Sequence, residues 1–224
     1  MASDEDPWAI AREAERGAVE RALLARRDAV EAGAGSAARV DALLSAVRAR
    51  IGVALACRSG CSACCHFRVA ARPDEVFRIL AAIPAGRRER IAARARANAD
   101  ALFRKTEQGR MVANLPCALL EDGRCSVYEA RPHACRAHHA VDREGCDAAL
   151  AEPERTDLDD GAIPLLQTVA AGHEDGAAAA LRDAGFDTEL VELNAALADA
   201  MTHPGPAERF ADRRVAFPGL GWIR

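Results

Sequence analysis

Lysine is almost absent from this 224-residue chain: Lys105 stands alone, so nearly all of the 30 basic residues are arginine. Aromatics are also scarce, at 4% of residues with one tyrosine, and runs of Val, Ile, Tyr and Phe are few. That scarcity argues against a sheet-dominated fold. No stretch approaches the roughly 18 uncharged apolar residues of a membrane span. No apolar segment follows the acidic opening Met1-Ala-Ser-Asp-Glu-Asp-Pro7, so no leader is read there and a cytoplasmic location is expected. Disulfides seldom persist in a reducing cytosol. A net charge of −4 and a pI near 5.9 exclude the strongly basic character of a general nucleic-acid binder.

Alanine, leucine and arginine fill the space instead. Alanine loses no side-chain entropy in a helix, and the straight-chain residues lose little. The expected fold is mainly α, a helical domain with a short β-hairpin and a cysteine-rich metal-binding centre. Three regions are expected within one compact domain: N-terminal helices over 1–56, a cysteine region over 57–146, and helices with an irregular tail over 147–224.

Ile10, Ala14, Val19, Leu23, Leu24 and Val30 predict a helix over 8–31, broken by Gly33-Ala-Gly35-Ser36. A second helix is expected over 37–56. Pro73-Asp74-Glu75 reads as a helix start, with proline and acids in the first turn. An arginine-rich helix should follow over 87–105 and stop at Gln108-Gly109. Cys117 to Tyr128 reads as a hairpin, because Asp122-Gly123 can supply the positive φ values of a tight turn. His133 to His138 suits a helical turn. Later helices are expected over 162–171, 175–184 and 187–202, with Gly172, Gly176 and Gly185 as punctuation. The tail from Pro204 should be irregular and packed by Phe210, Phe217, Leu220 and Trp222.

All eight cysteines fall between positions 57 and 146. Inert core residues would be scattered along the whole chain. The first four are Cys57-x3-Cys61-x2-Cys64-Cys65; the second four are Cys117-x7-Cys125-x9-Cys135-x10-Cys146. Short spacings let sulfurs converge on one centre, and thiolate is the soft ligand favoured by zinc, copper(I) and iron–sulfur clusters. Neighbouring side chains diverge, so the doublet Cys64-Cys65 suggests two corners of a cluster or two metals. A plain zinc ribbon needs no such doublet. The triplet Cys57, Cys61, Cys64 also has the spacing of radical SAM enzymes. Those enzymes use an alternating strand–helix barrel, for which the chain has no pattern.

Cys57, Cys61, Cys64 and Cys65, followed by Cys117, Cys125, Val127, Tyr128, Glu129, Arg131, Pro132, Cys135 and Arg136, resemble the YkgJ-type cysteine-cluster family of zinc- or iron-chelating domains. The resemblance covers about 57–146 and implies a metal site formed by the cysteines. Flagellin lysine methylases share the cysteine pattern, which implies an iron–sulfur cluster. Methylation is not carried over, since no glycine-rich SAM loop is present. The family's Cys-Pro before the hairpin is reversed here as Pro116-Cys117.

Four thiolates on Zn²⁺ or a [4Fe–4S] cluster leave a charge of about −2. Arg131 and Arg136, with Arg58 and Arg68 at the first group, are candidates to offset it or to hydrogen-bond to sulfur. Tyr128 is expected to pack over the cofactor. His66, His133, His138 and His139 could replace a cysteine or donate a proton. His173-Glu174-Asp175 lacks the spacing of a zinc hydrolase and reads as a helix start. Three functions stay open: an iron–sulfur protein with a redox or enzymatic role, a four-cysteine zinc module for structure or interaction, and a metallochaperone with labile metal. The metal ion or cluster is an expected partner, a protein or small-molecule substrate stays open, and neither nucleic acid nor membrane is expected. No catalytic residue stands out.

Overall fold

The computed structural model describes residues 6–26, 28–58, 60–155, 157 and 161–220. The fold is mainly α, with ten α-helices and two small two-stranded antiparallel sheets among the described residues. Helix α1 (Pro7–Arg26) buries Ala11, Glu15, Val19 and Leu23, a stripe one residue wide at each turn. Ile10 and Leu24 instead face solvent, at 51% and 83% exposure. Helix α2 (Ala29–Ile51) begins at Asp28, whose carboxylate accepts the Val30 and Glu31 N–H groups at 2.8 and 3.0 Å. Such a cap satisfies donors that the first helical turn leaves free.

The expected break at Gly33–Ser36 is therefore wrong: α2 runs straight through it. The glycine serves packing. A Cβ on Gly33 would overlap the Asp74 carboxylate, and Arg78 donates to the Gly33 carbonyl at 3.1 Å. This close approach outweighs the roughly 1 kcal/mol that glycine costs inside a helix.

Strand β1 (Ala70–Ala71) leads into α3 (Pro73–Ala82), which starts on the expected Pro-Asp-Glu turn. Helix α4 (Arg88–Phe103) is the arginine-rich element. The chain does not stop at Gln108-Gly109; Thr106 caps a short α5 (Glu107–Met111) by accepting the Gly109 N–H at 3.1 Å. Strands β2 (Leu120–Glu121) and β3 (Arg124–Cys125) form the expected hairpin. Asp122 and Gly123 have φ of 49° and 73°, the left-handed pair such a turn requires. Helices α6 (His133–Ala137) and α7 (Arg143–Ala151) complete the cysteine region.

Two helices expected over 162–184 are one, α8 (Pro164–Asp183). Its glycines again mark a close approach. A Cβ on Gly172 would overlap the Trp8 carbonyl, and one on Gly176 the Arg12 carbonyl, so α1 and α8 pack nearly backbone to backbone. Gly185, with φ of 84°, does end the helix. Strand β4 (Val191–Glu192) pairs with β1, Ala70 opposite Glu192 and Ala71 opposite Val191. Helix α9 (Leu193–Thr202) follows, and the supposedly irregular tail contains α10 (Gly205–Ala211). Phe210 and Phe217 are buried, and both rings meet Phe77 of α3, at 5.2 and 5.7 Å. Leu220 packs on the same core; Trp222 lies outside the described residues. The main core joins Val76, Ile79, Ile91, Leu181, Leu193 and Leu197 across α3, α4, α8 and α9.

Candidate metal centre

Helix α2 ends on Gly52, at φ of 65°, and releases an extended segment that carries Cys57. The Ala56 N–H donates to the Ala140 carbonyl at 2.9 Å, and the Cys57 thiol lies 3.8 Å from the same oxygen. Cys61 N–H reaches the Arg58 carbonyl at 2.9 Å and Cys65 N–H the Ser62 carbonyl at 3.0 Å. The Cys65 closure, with that of Phe67 N–H on the Cys64 carbonyl at 3.3 Å, winds the backbone into a tight turn over Ala63–His66. His66 stabilises that turn, its Nδ1 lying 3.0 Å from the Ser62 carbonyl.

The two cysteine groups meet through one backbone hydrogen bond: Cys117 N–H donates to the Cys65 carbonyl at 2.8 Å. The hairpin register sets Cys125 opposite Leu120, whose N–H donates to the Cys117 carbonyl at 3.0 Å. Arg94 of α4 holds the hairpin by donating to the Cys117 and Leu120 carbonyls at 3.1 and 2.6 Å. Cys135 rides on the first turn of α6. Glu75 of α3 fixes that turn, accepting the His133 N–H at 2.7 Å and the Arg72 N–H at 3.0 Å.

Arg136 is buried. It donates to the Arg131 carbonyl at 2.9 Å, to the Glu129 carbonyl and to the Asp41 carboxylate. Arg131 shares Asp41 at 3.4 Å, while Arg78 donates to the Arg131 carbonyl at 3.1 Å. The Arg131 guanidinium lies 3.9 Å from the centre of the Tyr128 ring, a cation–π contact. Tyr128 itself is 57% exposed and stands at the surface, joined to the site through Arg131.

The sulfurs sort in a way that crosses the sequence groups. Cys117, Cys125 and Cys135 pack against the main core. Cys146 of α7 is buried in a separate small cluster with Ala63 and Ala140, and Cys57 packs against that cluster. Burial pushes the Cys135 thiol well up, with Cys117, Cys64 and Cys125 nearby adding to the effect. Burial likewise raises Cys117 to about 11 and Cys125 in direction, although Arg131 and Arg136 pull Cys125 back. The Cys64 thiol rises first because it hydrogen-bonds to Cys65, then through burial. The two thiols of the doublet therefore lie near one another. Arg143, half-exposed beside Cys61 and Cys146, is held charged first by Asp147, then by Cys61.

These donors fit zinc or iron in kind: soft thiols, a largely dry setting and guanidinium groups to offset charge. Among the described residues no three His, Cys, Asp or Glu side chains already form a metal-ready group. Binding must draw the sulfurs in and displace their protons.

His133 turns away from this chemistry. Its ring stacks on His173 at 5.6 Å, and its Nδ1 lies 3.5 Å from Glu174. His173 is no helix start; it is buried within α8, 3.0 Å from the buried Glu15 carboxylate. Burial alone would raise Glu15, but hydrogen bonds from Arg39 and His173 bring it down to about 2. Arg72, also buried, pairs with Asp74 at 3.0 Å and with Glu174. This ionic layer joins α1, α3, α6 and α8 behind the cysteines. The sequence offered one sign of it, an acid at position 15 inside the apolar stripe of α1. His138 and His139 are half-buried in the segment after α6, and burial lowers His139.

No curated protein and no solved structure gives a significant match to the chain. One family model matches, over residues 56–157, under the description "CxxCxxCC: Putative zinc- or iron-chelating domain". That segment holds all eight cysteines, the hairpin and the Arg131–Arg136 turn, so the match falls on the cysteine region and makes it similar to this family of zinc- or iron-chelating domains.

Proposed function

We propose that the cysteine thiolates of this chain carry an iron–sulfur cluster with a redox or enzymatic role, in a cytoplasmic protein. The observation that carries the reading is the set of half-buried thiols Cys64, Cys117, Cys125 and Cys135, with Arg131 beside Cys64 and Cys125, Arg136 next to Cys135 along the chain, and Arg94 beside Cys117. Three separate stretches of chain supply those thiols, and a cluster commonly takes four thiolates and a low-dielectric setting. When bound, the cluster would supply one-electron exchange or a Lewis-acidic iron. The chain's own part is to hold and orient. Arg131 and Arg136 offset the anionic charge, Glu75 fixes the α6 turn, and Arg94 fixes the hairpin. We read the cysteine region, 57–146, as built into one domain with its flanks, a reading supported by the β1–β4 pairing and by the packing of α4 on α9 and of α3 on α2.

Zinc is the second reading, favoured by the packing of Cys117, Cys125 and Cys135 on the main core, where a metal would contribute directly to folding. Anaerobic purification with iron and sulfide analysis and visible spectroscopy separates the two. The proposal expects iron, acid-labile sulfide and broad charge-transfer absorption. A colourless, iron-free protein carrying zinc refutes it.

A further inference from the structure

We infer that Arg48 and His139 form a binding site for a small oxyanion, the carboxylate or phosphate group of a small molecule, where α2 ends against the exit of α6. The site uses no sulfur and needs no metal, so it stands or falls apart from the reading above.

Arg48 lies in the last turn of α2, seven residues after Asp41 and four after Leu44, and so on the same helical face. That face meets α6. Asp41 accepts from Arg131 and Arg136, and Ala137, the last residue of α6, packs with Val47 on the apolar cluster that holds Val40 and Leu44. His138 and His139 follow directly, which brings them to the end of α2. Arg48 Nε and His139 Nδ1 are both cut off from solvent there, and neither has a hydrogen-bond partner. Burial lowers His139 first and the Arg48 charge second; the Ala137 carbonyl opposes them, while His138 and Arg131 add to the lowering.

No carboxylate balances this group. Asp41, the acid on that face, is already shared by Arg131 and Arg136, and no described acid pairs with Arg48. A basic side chain suits the negative end of a helix, but Arg50 meets that need in the open. Dry donors without an acceptor cost free energy until one arrives. A carboxylate or phosphate oxygen is the acceptor a guanidinium takes most strongly, and an imidazole N–H can donate a second hydrogen bond to it. The wider field also favours an anion. Residues 57–146 carry 16 basic against 10 acidic side chains, whereas 147–224 carry 6 against 15. Ala140, next to His139, accepts the Ala56 N–H at 2.9 Å and lies 3.8 Å from the Cys57 thiol. An anion held by His139 therefore sits at the edge of the cysteine region.

The test is thermal melting of the full chain, as purified, in chloride buffer with added phosphate or acetate at constant ionic strength. The wild type should gain stability saturably with at least one of the two anions, by about 3–6 °C at ten times the dissociation constant. The anion that acts at the lower concentration names the ligand group, phosphate or carboxylate. Arg48→Met, which keeps the aliphatic stem without the charge, should lose the gain, and so should His139→Gln. Arg50→Met should keep it. General salt effects act on all four proteins alike. In chloride alone Arg48→Met should melt no lower than the wild type, because its charge has no partner to lose. The absence of a saturable gain in the wild type, or an equal gain in Arg48→Met, overturns the inference. So does an Arg48→Met protein that melts well below the wild type in chloride, since that marks a guanidinium already satisfied within the fold.

Discussion

Replacing Glu75 by glutamine removes one charge from the ionic layer behind the cysteines while keeping the side chain's shape. In the native chain this buried carboxylate accepts two backbone N–H groups, from Arg72 at 3.0 Å and His133 at 2.7 Å. It also faces the guanidinium groups of Arg72 and Arg78 at 3.9 and 4.0 Å. Glutamine has one acceptor oxygen, so one of the two N–H groups would meet an amide NH₂ and go unsatisfied. A buried unsatisfied donor costs about 1–3 kcal/mol. Arg72 retains Asp74 and Glu174, so the full penalty of an orphaned buried charge should not apply. At roughly 2–4 °C per kcal/mol for a chain of this size, thermal melting of the metal-free protein should fall by about 2–12 °C. The His133 N–H opens the turn that carries Cys135, so metal affinity should weaken as well. Circular dichroism melts and a competitive metal titration on Glu75→Gln read both effects. Unchanged melting together with unchanged affinity would show that Glu75 does not fix the cysteine turn.

Gly176→Ala should destabilise by about 1–3 kcal/mol, the usual cost of overpacking, because its Cβ meets the Arg12 carbonyl. Gly86→Ala, with open space around it, should melt like the wild type; equal melting of the two variants would contradict the close α1–α8 contact. Metal affinity should rise with pH, by up to ~10-fold per unit for each proton released, since burial holds Cys117 near 11 and Cys135 higher than usual. A competition titration that is flat from mildly acidic to mildly basic pH would argue against protonated, buried donors. Glu15 lies below its ordinary value of 4.5, at about 2, so its contribution is complete above 4.5 and is lost as pH falls towards 2. Denaturant unfolding should show Glu15→Gln with up to ~3 kcal/mol less pH dependence across that window, and parallel profiles for the two proteins would count against the pairing with Arg39 and His173.

Features set by neighbouring residues were legible in the sequence. Pro73-Asp74-Glu75 starts α3 because proline and acids suit a first turn, and Asp122-Gly123 turns the hairpin because both tolerate positive φ. Glycine was ambiguous. Gly33, Gly172 and Gly176 look like helix breaks along one chain, yet each is a place where a second helix comes too near for a Cβ. His173 and Glu15 meet across 158 positions of sequence, beyond the reach of any local pattern. The cysteines were legible as ligands by type and density. Their grouping was not, because the hydrogen bond from Cys117 to Cys65 and the packing of Cys146 on Ala63 and Ala140 are tertiary.

The antiparallel pairing of Ala70–Ala71 with Val191–Glu192 also imposes a timetable. A ribosome delivers every cysteine well before the closing strand, and long before Phe210 and Phe217 reach Phe77. Throughout that interval the nascent cysteine region lacks its final wall. The cysteine region is thus closed only once residues 191–192 have been made.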